Sequence, residues 1–194
     1  MIKKIPNLLT IGRIIIVPFF VLAFYLPGFY GDLTACVLFV IASFTDFLDG
    51  MLARMMGEES KLGELLDPIA DKIIVATALI LLVMSGTIRH YEVIAAIIIL
   101  TREILISGLR EFLARGRIKL PVTNLAKLKT FLQMVAIALL LTGETGNKIL
   151  NFQNYNAQTI GIILLWLSAF LTLYTGYEYL RKGIDHAMSE DNKK

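Results

Sequence analysis

Six apolar segments, each close to the length of a membrane-spanning helix, divide this chain. They cover residues 8–26, 33–50, 65–86, 92–110, 127–142 and 157–180. A helix needs about 20 apolar residues to cross the hydrocarbon core of a bilayer. Hydrophobic residues make up 56% of the 194 and charged residues only 18%, which excludes an ordinary soluble domain. Since only helices and closed barrels satisfy the backbone in lipid, we predict an all-α, polytopic membrane protein, a bundle of six transmembrane helices.

The two ends of the chain differ from this apolar body. Lys3 and Lys4 precede the first segment and predict a short N-terminal interfacial segment beside lipid headgroups. Arg13 interrupts the first apolar run and no small-residue cleavage site follows, so we expect this segment to be retained. We interpret residues 1–185 as a single membrane domain and residues 186–194 as a polar C-terminal tail.

The basic residues predict how the bundle is oriented. With the N-terminus in the cytoplasm and six spans, only Arg89 and Lys148 fall outside, Lys72 lies within the membrane, and the other sixteen lysines and arginines fall inside. This asymmetry is a strong positive-inside signal and places both termini in the cytoplasm. The chain has no basic stripe with interleaved aromatic residues, so nucleic acid is not an expected partner.

Four carboxylates stand where apolar segments end or begin. Asp46 and Asp49 are three residues apart near the end of the second segment, and Asp67 and Asp71 are four apart near the start of the third. On helices these separations place each pair on one face. A charge at the bilayer centre costs about 2.5–3.5 kcal/mol on the lenient insertion scale, so a compensating cation is expected.

The chemistry of this group favours hard cations. Four aspartates with no cysteine or suitably placed histidine suit Mg²⁺ or Mn²⁺. Four carboxylates exceed what one Mg²⁺ usually takes from protein, so we predict two ions, as in phosphoryl-transfer sites. Two alternatives are structural pairing of the acids with Arg54, Lys61 and Lys72, and the ion site of an acid-lined cation transporter.

The residues around the aspartates carry a family resemblance. D-F-L-D-G-M-L-A-R, eight residues, then G-E-L-L-D-P-I-A-D resembles the CDP-alcohol phosphotransferase signature, D-x2-D-G-x2-A-R-x8-G-x3-D-x3-D, at every fixed position and spacer. The six-segment pattern and the opening P-N-L-L-T-I-G-R are also similar to that family. The resemblance implies an enzyme that transfers the phosphatidyl group of CDP-diacylglycerol to an alcohol and releases CMP.

The same resemblance implies roles for particular residues. Asp46, Asp49, Asp67 and Asp71 would hold two divalent cations, and Asp71 would also be the catalytic base on the attacking hydroxyl. The CDP group would be bound at Asp46, Asp49, Gly50, Ala53, Arg54, Gly63 and Asp67. It also implies a homodimer in the bacterial cytoplasmic membrane, with the active site at the cytoplasmic side.

The acceptor alcohol is predicted from basic residues further along the chain. The string R-E-I-L-I-S-G-L-R-E and the later K-L-K-T resemble the bacterial members that use sn-glycerol 3-phosphate and make phosphatidylglycerophosphate. We expect Arg110, Lys127, Lys129 and Arg102 to bind the acceptor phosphate, because guanidinium and ammonium groups suit a dianion. Glu103 shares a helix face with Arg110 and is expected to balance part of its charge. The alternative within the family is a cardiolipin synthase with phosphatidylglycerol as acceptor.

Overall fold

A computed structural model describes residues 5–56, 61–115, 123–150 and 156–191, and these residues form six α-helices with no strand among them. The helices are α1 (Ile5–Phe24), α2 (Phe29–Met56), α3 (Lys61–Met84), α4 (Glu92–Arg115), α5 (Asn124–Leu150) and α6 (Ala157–Asp191). The all-α prediction is confirmed. Lys3 and Lys4 lie outside the described residues, and Ile5 already belongs to α1.

The helices alternate in direction. Phe20 of α1 contacts Phe39 of α2 with ring centroids 6.3 Å apart, and the Tyr25 hydroxyl just after α1 lies 3.5 Å from the Met84 sulfur at the end of α3. Between α2 and α5, the Cys36 thiol lies 3.5 Å from the Ala138 carbonyl oxygen. Together with the packing of α6 against α4 and α5, these contacts set α1, α3 and α5 in one direction and α2, α4 and α6 in the other.

Two segments are long and apolar enough to cross a membrane by length and composition, Asn124–Gly143 and Ala157–Arg181. Shorter apolar stretches occupy Thr10–Phe24, Phe29–Thr45 and Lys72–Met84.

Helix α5 departs from the sequence prediction. The fifth apolar segment was predicted to end at residue 142, but α5 continues to Leu150 across a kink at Gly143, where φ is 53° and ψ is −135°. After the kink, the Thr145 hydroxyl donates to the Asp32 carboxylate at 2.9 Å. Asn147 then accepts a bond from the Ala157 backbone N–H at 2.6 Å, which joins the end of α5 to the start of α6. Contacts with α2 and α6 thus stabilise helical structure in a stretch that is rich in residues typical of loops.

The bundle core changes character along its length. Its apolar part contains Phe20, Phe39, Leu82, Ile99 and Leu140, all fully buried. Toward the end where α1, α3 and α5 begin, buried polar side chains replace them: Thr10, Arg13, Lys129, Gln133, Thr172 and Thr175. Buried polar groups are costly unless they have partners, so this polar half is where a site is expected.

Candidate active site

The four aspartate positions continue the buried faces of two helices. On α2, Phe39 and Ala42 are buried, and position 46 follows Phe39 by seven residues, a spacing that returns to the same face. Position 49 follows Ala42 by the same interval. The side chains of Asp46 and Asp49 lie outside the described residues, as do those of Gly50, Ala53 and Arg54.

Helix α3 shows the same relationship from its other end. Ile74 and Ala78 are buried, and positions 67 and 71 precede them by seven residues each. The side chains of Asp67 and Asp71 lie outside what the structure describes, and Gly63 is described only as part of the α3 backbone. Helices α2 and α3 pack against each other, so the two pairs of positions belong to neighbouring helices.

A buried cation lies level with these positions. Arg13 on α1 is only 1% exposed. It precedes Phe20 by seven residues, while position 46 follows Phe39 by seven, and Phe20 contacts Phe39. Because α1 and α2 are antiparallel, Arg13 and position 46 share a level of the bundle. From the sequence, Arg13 was used only to predict topology and retention of the first segment, and its place in the buried core was not predicted.

The donor set suits divalent metal ions. Four carboxylates on two packed helices provide hard oxygen ligands of the kind that Mg²⁺ and Mn²⁺ prefer. Among the side chains that the structure describes, no three His, Cys, Asp or Glu residues gather into a metal-binding group. Positions 46, 49, 67 and 71 remain the candidate metal ligands, on the basis of their spacing in the sequence.

A second polar cluster joins α4, α5 and α6. Lys129 on α5 donates to the Glu103 carboxylate on α4, and its side chain is only 3% exposed. The Arg102 Nη1 atom lies 3.5 Å from the same carboxylate. Lys72 on α3 is close enough to act electrostatically on Glu103. Three cations thus lie around the Glu103 carboxylate.

The structure separates the four proposed phosphate-binding residues into two kinds. Arg102 and Lys129 lie inside the bundle around Glu103, with side-chain exposures of 13% and 3%. Arg110 and Lys127 are exposed, although Arg110 is near enough to Arg102 to repel it electrostatically. The expectation that Glu103 balances Arg110 was wrong, because Glu103 instead pairs with Lys129 and Arg102.

Helix α6 contributes residues that the sequence analysis did not assign to a site. The Arg102 Nη2 atom donates to the Thr175 hydroxyl oxygen at 3.1 Å. The guanidinium carbon lies 5.8 Å from the centre of the Tyr179 ring, within the range of a cation–π interaction. The only signal in the sequence was the spacing of small and polar residues along an otherwise apolar helix.

Comparison with known proteins agrees with the signature. The sequence model of the CDP-alcohol phosphatidyltransferase family matches residues 3–174, which include both aspartate pairs. The chain belongs to this family.

Curated relatives within the family carry a more specific name. The chain is 42% identical over 179 residues to the CDP-diacylglycerol–glycerol-3-phosphate 3-phosphatidyltransferase of Rickettsia felis, covering 92% of this chain and 94% of the relative. Proteins of the same name are 37% identical in Cereibacter sphaeroides, covering 96% and 98%, and 39% identical in Shigella flexneri serotype 5b, covering 91% and 93%. The similarity therefore extends over nearly the whole length of each protein.

Proposed function

We propose that this protein transfers the phosphatidyl group of CDP-diacylglycerol to sn-glycerol 3-phosphate, giving phosphatidylglycerophosphate and CMP. The family signature supports the phosphatidyl transfer, and the names of the relatives support the acceptor. The observation that carries the proposal is that two cations, Arg102 and Lys129, lie inside the bundle around Glu103, in the same half of the core as the aspartate positions. A phosphate-bearing acceptor needs such charge.

The chemical step requires a hydroxyl to attack phosphorus. In the proposal, Asp71 takes the proton from the 1-hydroxyl of glycerol 3-phosphate. The oxygen of that hydroxyl then forms a bond to the phosphorus of the phosphatidyl group. The bond from that phosphorus to the CMP oxygen breaks, and CMP leaves with the electron pair. Gly50, Ala53, Arg54 and Gly63 border the cytidine diphosphate, and the two glycines leave space for close approach.

Asp46, Asp49, Asp67 and Asp71 would hold two divalent cations, Mg²⁺ or Mn²⁺. When bound, these ions stabilise negative charge on the diphosphate and on the leaving group. Helices α2 and α3, which carry these aspartates, pack against each other, and this packing supports a shared site for the two pairs.

Arg102 and Lys129 are proposed as the inner phosphate ligands of the acceptor. A guanidinium can donate two parallel hydrogen bonds to phosphate, and an ammonium supplies a point charge. Arg110 and Lys127, which are exposed, form the outer rim of the same pocket and attract the anion toward it.

The proposed setting is a bacterial cytoplasmic membrane, with residues 1–185 as one six-span domain and both termini in the cytoplasm. The alternating helix directions support this arrangement, since each helix returns the chain to the opposite side. Large apolar side chains are also exposed on all six helices, as at Phe19, Val40, Ile80, Ile97, Phe131 and Phe170, where lipid would cover them. The homodimer implied by the family resemblance is part of the proposal, and light scattering of the detergent-solubilised protein tests it.

A product assay tests the function. Purified protein in detergent, with Mg²⁺ and CDP-diacylglycerol, is given glycerol 3-phosphate, phosphatidylglycerol, serine or inositol phosphate in separate reactions. We expect CMP release and phosphatidylglycerophosphate only with glycerol 3-phosphate. Cardiolipin formed from phosphatidylglycerol would instead identify the lipid-acceptor enzyme, and no CMP with any acceptor would contradict the transferase proposal.

A further inference from the structure

The Arg102 side chain of α4 lies against three residues on one face of α6: Thr175, Gly176 and Tyr179. Its Nη2 atom donates to the Thr175 hydroxyl oxygen at 3.1 Å, and its guanidinium lies over the Tyr179 ring at 5.8 Å. Between these two residues, Gly176 presents bare backbone to the stem of the arginine. These contacts fix a side chain that is otherwise among the most flexible in proteins.

Gly176 makes room for this arrangement. A Cβ atom at this position would lie 3.1 Å from Arg102 Cγ and 3.4 Å from Arg102 Nε. Contacts this close require the arginine to shift. Glycine at position 176 therefore sets the path that the arginine follows along α6.

A matched position lies two turns further along the same interface. A Cβ atom at Gly183 would lie 3.0 Å from both Leu109 methyl carbons. Since 102 pairs with 176 and 109 pairs with 183, α4 and α6 run in the same direction at a constant register. The two glycines accommodate side chains of α4 in the same way, but one side chain is cationic and the other is apolar.

The hydroxyl of Thr175 is oriented by its own helix. Its Oγ1 atom donates to the Leu171 carbonyl oxygen at 2.8 Å, which directs an oxygen lone pair to Arg102. The neighbouring Thr172 hydroxyl is buried and has no hydrogen-bond partner among the residues that the structure describes. Thus only one of these two threonines acts on the arginine.

We infer that Thr175 and Gly176 are positioning residues for the acceptor: they orient the Arg102 guanidinium toward the phosphate of glycerol 3-phosphate without touching the substrate. The inference rests on the proposed function. Bidentate binding of phosphate depends on the direction of the planar guanidinium. Thr175 occupies Nη2 from the α6 side and thereby determines which edge of the group faces the bundle interior.

Steady-state kinetics with two pairs of variants test this inference. Thr175→Val and Gly176→Ala should each raise KM for glycerol 3-phosphate by about three- to tenfold, the effect of losing or misdirecting one hydrogen bond. KM for CDP-diacylglycerol should stay within twofold, or about the error of the measurement. Thr175→Ser retains the hydroxyl and should restore the acceptor KM.

The controls are Thr172→Val and Gly183→Ala. They introduce the same chemical changes into the same helix without facing Arg102, and they should leave the acceptor KM unchanged. Thermal unfolding in detergent gives the stability of all five variants. If Gly183→Ala raises the acceptor KM as much as Gly176→Ala, or if Thr175→Ser behaves like Thr175→Val, the positioning role is wrong.

Failure of the inference is distinguishable from failure of the proposed function. If the wild type releases CMP with glycerol 3-phosphate and Arg102→Ala raises the acceptor KM, but Thr175→Val and Gly176→Ala match their controls, only the inference is overturned. If the wild type does not use glycerol 3-phosphate, the proposed function is wrong and the inference falls with it.

Discussion

Lys129 on α5 donates a hydrogen bond to Glu103 on α4, across a space that the backbones of these two helices do not close. In the described residues, α4 packs against α3 and α6, and α5 packs against α2, α3 and α6, but α4 and α5 do not pack directly. Two long side chains therefore bridge the space between them, beside Arg102.

Glu103→Gln tests whether this space binds phosphate. The substitution removes the negative charge among Lys72, Arg102 and Lys129, and should lower the free energy of unfolding by about 1–3 kcal/mol. Glycerol 3-phosphate supplies a replacement charge. We expect it to raise the unfolding temperature of Glu103→Gln more than that of the wild type, by linkage between binding and folding. An equal shift in both proteins would place the phosphate elsewhere.

Truncation of the inner cations should weaken acceptor binding more than truncation of the outer ones. Arg102→Ala and Lys129→Ala should raise KM for glycerol 3-phosphate by about one to two decades, as expected for a lost charge-assisted contact. Arg110→Ala and Lys127→Ala remove exposed charges that solvent and salt screen, so their effect should be about threefold or less. The measurement is acceptor KM at fixed ionic strength. If Arg110→Ala raised the acceptor KM more than Arg102→Ala, the phosphate would bind at the exposed residues and not inside the bundle.

Activity should require divalent cations and the aspartates. Asp46→Asn, Asp49→Asn and Asp67→Asn each remove a proposed ligand charge and should nearly abolish CMP release. EDTA should do the same to the wild type, with recovery on addition of Mg²⁺ or Mn²⁺. Circular dichroism in detergent serves as the folding control. Full activity in EDTA is incompatible with the two-metal proposal.

Asp71 should differ from the other aspartates because it is also proposed as the base. Asp71→Asn should reduce kcat far more than it weakens CDP-diacylglycerol binding, since proton transfer matters chiefly in the transition state. Single-turnover CMP release and equilibrium binding of CDP-diacylglycerol separate the two effects. Loss of binding with an unchanged single-turnover rate would exclude the base assignment.

The kink in α5 should matter for stability and not for chemistry. Gly143 has a φ of 53°, and a Cβ there would lie 3.4 Å from the Asp32 carboxylate. Gly143→Ala should therefore cost about 1–3 kcal/mol of stability through backbone strain, and Thr145→Val about 1 kcal/mol through loss of its bond to Asp32. KM for both substrates should be unchanged, because the kink lies at the end of the bundle opposite the aspartate positions. A changed KM in either variant would show that the two ends of the bundle are coupled.

Sequence patterns were sufficient to predict the six helices. They failed where a contact between distant residues determines the local structure. Apolar length predicted all six helices, because lipid-facing and core-facing side chains are both apolar. The helical turn after Gly143 was missed, since Gly143 and Gly146 indicate a loop and the bond between Thr145 and Asp32 joins residues 113 positions apart.

In the candidate site, too, local patterns could be predicted from the sequence and contacts between helices could not. The aspartate spacing follows from a local periodicity and could be recognised directly. The partner of Glu103 could not, because the nearest cation by helical spacing is Arg110, whereas the observed partner, Lys129, lies 26 residues away on another helix. Thr175 and Gly176 carry no charge and resemble ordinary packing residues, so only their contacts with Arg102 assign them a role.

The pairing of Arg102 with α6 also constrains how the chain is made. Arg102 and Thr175 are 73 residues apart, an interval that takes about 4–15 seconds to synthesise at typical translation rates. During that time α4 has a guanidinium in an apolar segment and no α6 to cover it, which opposes its release into lipid. We therefore expect α4 to remain beside the insertion machinery until α6 emerges, so that the two helices enter the bilayer together. A nascent chain arrested before Thr175 should crosslink to that machinery through α4, and one arrested well after α6 should not.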